Sequence, residues 1–143
     1  MNARAFIDTS VFVYSLDRSA TAAKRRIATD LIRDALQQRR SIISYQVIQE
    51  FLAVVTKKFA KSMTIADAGQ YLDDVLEPLL SVQPPVEIFR EALSLHSRYH
   101  LSWYDSSILA AASIADCAVI YSEDLQHGAK YSGVRVENPF RTL

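Results

Sequence analysis

The chain has 143 residues, half of them apolar, with 16 Lys plus Arg against 16 Asp plus Glu. That length builds one good core and leaves no room for a second domain of ordinary size, so a single domain over residues 1–143 is expected. A net charge of zero excludes global steering toward nucleic acid or a membrane, and any polyanionic partner must be held locally.

The lone cysteine, Cys117, excludes an intrachain disulfide and lies between apolar segments, where it is expected to be buried as a small hydrophobe. The first residues carry no long apolar region, and no run approaches the roughly 18 uninterrupted apolar residues of a membrane span, so a cytoplasmic protein without a membrane partner is expected.

In chain order, residues 3–8 form a short apolar strand candidate that ends in Asp8-Thr9-Ser10, a triplet able to cap the helix suggested by residues 11–16. Residues 19–38 have a helical pattern, with Ala23, Ile27, Leu31 and Ala35 on one face and Lys24, Arg25, Arg33 and Asp34 off it. A second short strand is expected over 41–44. Helical periodicity returns from Tyr45 to about Ala60, then over 64–80 behind the capping box Thr64-Ile65-Ala66-Asp67.

Pro84-Pro85 punctuates the chain, and Pro85 suits the first turn of a helix to Tyr99 because its missing N–H costs nothing there. Ser102 caps a helix from Trp103 to about Ala115. Strands are expected at 118–121 and 134–136, with one more at 80–82. Short apolar strands separated by helices argue for a parallel sheet covered on both faces, an α/β class.

Four carboxylates stand out at element ends. Asp8 and Asp124 each follow an apolar strand, and ligands collect at the carboxyl ends of strands in open α/β sheets. The plainer alternatives are a helix cap for Asp8 and an ordinary turn residue for Asp124, beside Glu123. Asp105 fits a capping box with Ser102, yet at about 100° per residue it also shares a stripe with Ile108, Leu109 and Ala112, which must face the core. A carboxylate on such a stripe costs several kcal/mol unless it is paired or bound to a cation. Glu50 lies at the margin of its helix's apolar stripe, near Val47 and Val54 in angle. Lys57 and Lys61 project to the same side, either as helix-end cations or as phosphate contacts.

Converging acids suit a hard cation, and Mg²⁺ in particular is held by a few carboxylates while keeping waters for a phosphate substrate. Such an ion activates water for in-line attack on a phosphodiester. His96, His100 and His127 lack zinc-site spacing and read as surface or internally satisfied residues, and three glycines make no phosphate-cradling loop.

The segments Phe6-Ile7-Asp8-Thr9-Ser10-Val11, Val47-Ile48-Gln49-Glu50-Phe51, Trp103-Tyr104-Asp105-Ser106-Ser107-Ile108 and Ile120-Tyr121-Ser122-Glu123-Asp124-Leu125 together resemble the PIN-domain ribonucleases, above all the toxins of VapBC toxin–antitoxin systems. The resemblance spans nearly the whole chain, with acids in the family's order and spacing. It implies a single-domain α/β/α sandwich with a parallel five-stranded sheet, strands carrying Asp8 and Asp124 side by side, and Mg²⁺- or Mn²⁺-dependent endonucleolytic cleavage of RNA. Carried over by position, Asp8, Glu50 and Asp105 match the three main acids, Asp124 the fourth, and Ser10 a hydroxyl beside the metal. Glu123 leaves the fourth ligand open, since either neighbour can turn inward. The resemblance also implies a homodimer and a cognate antitoxin whose tail packs over the helices and places a basic side chain among the acids. A housekeeping RNA-processing nuclease, a non-catalytic PIN-like binding module and a hydrolase of small phosphate compounds are the alternatives; the binding module is expected to have lost an acid, and none is missing.

Overall fold

The computed structural model describes residues 4–57 and 63–142. Its centre is β1 (Arg4–Ile7), where the consecutive residues Phe6 and Ile7 are both fully buried. Neighbouring strand residues point to opposite faces, so both faces of the sheet are covered, as an α/β sandwich requires. β2 (Ser41–Ile42) and β3 (Cys117–Tyr121) flank β1 in parallel, and β5 (Val134–Glu137) lies parallel to β3. The sheet order is β2-β1-β3-β5-β4.

Among the described residues the sheet has five strands, as the resemblance implies, but they are not all parallel. β4 (Lys130–Tyr131) runs antiparallel to β5. The two strands are joined by Ser132 and Gly133, both at positive φ, 47° and 83°. A two-residue loop with both φ values positive reverses the chain with the natural strand twist, so a hairpin is built here rather than a crossover. The strand expected at 80–82 reduces to one parallel bridge between Leu80 and Ile43.

The helices follow their caps. Asp8 is the N-cap of α1 (Thr9–Leu16). Thr21 Oγ1 accepts the Lys24 N–H and opens α2 (Ala22–Gln38), three residues after Ser19. Ser19 is drawn into a turn by Asp17, whose carboxylate accepts its backbone N–H at 2.9 Å. α3 spans Tyr45–Lys57, and the remainder of its expected length lies outside the described residues. Thr64 Oγ1 accepts the Asp67 N–H and starts α4 (Ile65–Tyr71). The single helix expected over 64–80 is broken: a π-helical turn (Leu72–Leu76) leads into α5 (Glu77–Leu79). Pro78 has no N–H to give the preceding turn, which accounts for the widening beside it.

α6 (Pro85–Tyr99) packs along α7 (Trp103–Ile114), and α7 lies on β3 and β5. On the other side α1 packs on α2 and α3, pinned by Phe12, edge-on to Phe51, which stacks on Tyr71 at 4.8 Å between centroids. Cys117 is buried, and burial pushes its thiol up to about 12. Among the described residues no helix is long and apolar enough to cross a membrane.

Candidate active site

The register of β1 on β3 pairs Ile7 with Tyr121, so the chain leaves both strands at the same sheet edge and Asp8 falls beside Ser122. The Asp8 N–H donates to the Tyr121 carbonyl at 3.0 Å, extending the ladder one step. Asp8 is 5% exposed, and each oxygen has a donor: the Thr9 N–H reaches Oδ1 and the Ser122 hydroxyl reaches Oδ2, both at 2.7 Å. Burial pushes its carboxyl up to about 6. The bonds from Ser122 and Thr9 oppose that shift, while the charges of Asp124 and Glu50 add to it. Capping and membership of an acid group, posed as alternatives by the sequence, coexist in this residue.

Glu50 sits partly buried on α3, against the start of α1. Its Oε1 accepts the Thr9 hydroxyl at 2.7 Å and its Oε2 accepts Gln46 Nε2 at 3.1 Å. The same Gln46 nitrogen donates to the Tyr104 carbonyl at 3.1 Å, tying α3 to the first turn of α7 beside Asp105.

Asp105 is partly buried at the third position of α7, and its backbone N–H donates to Ser102 Oγ at 3.1 Å. Ser102 is therefore the cap, and among the described residues the Asp105 carboxylate has no hydrogen-bond or ion-pair partner. Asp124 lies exposed on the loop after β3, tethered through its N–H to Ser122 Oγ at 3.2 Å. Partial burial raises its carboxyl, and Asp105, Glu123 and Glu50 raise it further against the opposing charge of Lys24. Asp124 thus stands within the electrostatic reach of acids from α3 and α7.

Glu123 is engaged elsewhere. The Tyr14 hydroxyl donates to Oε1, and Lys24 Nζ is 2.7 Å from Oε2. Burial raises the Glu123 carboxyl, but the bonds from Lys24 and Tyr14 and the Lys24 charge outweigh it and leave it low.

A groove of about 620 Å³ opens between α1 and α3, with Thr9, Ser10, Glu50 and Asp124 as its polar wall and Val13 and Val54 as its apolar one. Ser10 Oγ is buried without a partner. Among the described residues no three His, Cys, Asp or Glu side chains are grouped as a set able to hold a metal ion. The acids are spaced by neutral groups, with Thr9 between Asp8 and Glu50 and Ser122 between Asp8 and Asp124. The donor chemistry nevertheless fits a hard cation: oxygen atoms only, like charges that raise Asp8 and Asp124, and an unpaired hydroxyl at the groove.

The structure links Asp8 to Glu50 through Thr9 and sets Ser10, Glu50 and Asp124 along one groove, while Asp105 reaches the set only through its charge on Asp124 and the Gln46 bond to Tyr104; Glu123 is tied to α1 and α2. The histidines stand outside the group. His96 Nδ1 meets the Leu101 carbonyl, His100 ends α6, and His127 Nδ1 accepts the Asn138 N–H. Lys57 is exposed in the last turn of α3, and Lys61 lies outside the described residues. Sequence reasoning missed Thr9, Gln46 and Ser122 as supports, although Gln46 stands one helical turn before Glu50, Ser122 directly follows β3 and Thr9 opens α1 next to Asp8. Nothing local links Lys24 to Glu123.

No curated protein sequence is significantly similar to the chain. Several solved structures share its fold. A toxin–antitoxin complex from Klebsiella pneumoniae superposes with a TM-score of 0.65 at 19% identity, covering 95% of this chain and 98% of that one. FitAcB from Neisseria gonorrhoeae gives 0.63 at 14% identity over the same shares, 95% and 98%. VapC20 of Mycobacterium tuberculosis, described as a sarcin–ricin loop cleaving toxin, gives 0.58 at 16% identity, covering 82% of this chain and 88% of that one. Likeness at these identities speaks for the fold, and the family follows from the sequence match: the PIN domain model aligns with residues 5–131, so the chain belongs to the PIN domain family.

Proposed function

We propose that this protein is a metal-dependent endoribonuclease that hydrolyses RNA phosphodiester bonds, and that it is the toxin of a type II toxin–antitoxin system. The observation that supports the reading is the electrostatic linkage of Asp8, Glu50, Asp105 and Asp124, from four distant stretches of a PIN domain, with Glu50 and Asp124 lining an open groove.

In this reading the four acids hold Mg²⁺ or Mn²⁺, with the Ser10 hydroxyl beside it. Bound there, the ion supplies the positive charge that activates a water and offsets the charge developing during in-line attack on phosphate. The chain's own groups prepare the place. Ser122 and the Thr9 N–H hold Asp8, while Thr9 Oγ1 and Gln46 orient both oxygens of Glu50. Those bonds stabilise the Asp8 carboxylate against burial, which pushes it up to about 6, so at neutral pH it is chiefly an anion that a cation would stabilise further. Val13 and Val54 present a dry wall to the substrate side of the groove.

The toxin assignment is supported by the two toxin structures with the same fold, one of them solved as a complex with its antitoxin. A cognate antitoxin, a homodimeric state, a cytoplasmic location and one domain over residues 1–143 belong to the same proposal. The test is expression alone and together with the genomic neighbour, followed by sequencing of the RNA ends produced. Defined new ends that vanish with the neighbour support a toxin. Trimmed ends of stable RNAs, indifferent to the neighbour, point to a processing nuclease instead, and no new ends at all point to a binding module.

A further inference from the structure

Glu123 and Asp124 are adjacent, and a rotation of the backbone between them exchanges which carboxylate meets the groove. The fold treats them differently. Glu123 is held by groups from two other parts of the chain: Tyr14 of α1 donates to one oxygen and Lys24 of α2 pairs with the other at 2.7 Å. Lys24 Nζ also lies 3.8 Å from the centroid of the Tyr14 ring and 5.2 Å from that of Phe140, and these rings meet edge to face at 5.3 Å. An ammonium set on two rings and paired with a half-buried carboxylate is far more confined than a surface lysine. Asp124, one residue on, is exposed and held only through its N–H to Ser122.

We infer that Lys24 and Tyr14 are positioning residues: by occupying both oxygens of Glu123 they remove the competing carboxylate and set the loop after β3 so that Asp124 is the acid presented to the groove. The inference rests on the reading of the acids as a cation site, and deepens it by resolving which neighbour completes the site and what enforces the choice. Lys24 pairs with Glu123 and is not among the residues lining the groove, although its charge also lowers Asp124 directly. Its role passes through Glu123 to the loop.

Titration of the full-length, metal-stripped protein with Mn²⁺ alone tests this by calorimetry, without reference to RNA cleavage. Lys24→Met is expected to weaken Mn²⁺ binding by about tenfold and Tyr14→Phe by about threefold, the range of coupling seen within one side-chain network. Lys24→Arg, which keeps the cation over the rings, is expected to restore binding to near the wild-type value. In the background of Asp124→Asn, Lys24→Met is expected to have no further effect, because its route to the ion is already gone. A clamp that only stabilises the fold lowers the melting temperature, leaves Mn²⁺ affinity unchanged and makes the two substitutions additive, and any of the last two results overturns the inference. Should Lys24→Met fail to fold, Tyr14→Phe, which removes one oxygen, decides alone. Wild-type protein that binds no Mn²⁺ overturns the cation site itself, whereas wild-type binding with unaltered variants overturns only the clamp.

Discussion

The two halves of the acid group are built in opposite ways. Asp8 and Glu50, on the β1–α3 side, have a hydrogen-bond donor on every carboxylate oxygen. Asp105 and Asp124, on the α7 side, have none for their carboxylates among the described residues. Donors fix an anion's orientation in advance, while an unpaired anion facing others of its kind raises the energy of the metal-free fold. The first half is therefore preorganised by the protein, and the second is the part that a bound cation would organise.

The harshest way to break this comparison is to remove charge from each half in turn. Asp8→Asn, Glu50→Gln and Asp105→Asn are each expected to slow RNA cleavage by about 10²–10³-fold in Mn²⁺, the cost of losing one electrostatic contact to the transition state, and chelation should stop the reaction. Initial rates on a single-stranded RNA check it. Full activity of Asp105→Asn would remove the unpaired half from the chemistry.

The preorganised half carries a pH signature. The Asp8 carboxyl, at about 6 in the fold against 3.8 ordinarily, binds its proton more tightly folded than unfolded. Stability of the metal-free protein should therefore be highest below about pH 4 as far as this group is concerned, and fall as pH rises through 6, by on the order of 3 kcal/mol in total. Urea denaturation in chelator between pH 4 and 7 measures the slope, and Asp8→Asn should flatten it. A slope of the opposite sign contradicts an Asp8 whose ionisation is disfavoured by burial.

The unpaired half makes a smaller and sharper prediction. Because Ser102 caps α7, Ser102→Ala should cost about 1 kcal/mol. Asp105→Asn in the metal-free protein should be neutral or stabilising, since it only relieves repulsion, and millimolar Mn²⁺ should raise the wild-type melting temperature by mass action. Equal losses from the two substitutions would make Asp105 a capping residue after all.

The smallest effect is expected outside both halves. Lys57 is exposed at the end of α3, where a cation suits the helix dipole. Lys57→Gln should leave the slope of log affinity against log salt unchanged in filter binding to single-stranded RNA. Flattening by about 0.7 would make it a phosphate contact.

Much of this architecture was legible in the chain. Strand-then-acid at residues 6–8, Pro85 and the caps Thr64 and Ser102 are local signals, written in neighbouring residues, and each sits where periodicity and capping chemistry place it. The four candidate acids stand out in the sequence for a related reason: a carboxylate at an element end or on an apolar stripe is conspicuous against its own neighbours. What stayed hidden depends on contacts across long separations. Only the register of β1 on β3 sets Ser122 against Asp8, and only the packing of α1, α2 and the C-terminal turn around residue 123 engages one acid of an adjacent pair and leaves the other free. The antiparallel β4 and the π-helical turn belong to the same class, because the pairing partner and the packing of a chain segment are properties of the assembled sheet and core, which local sequence does not contain.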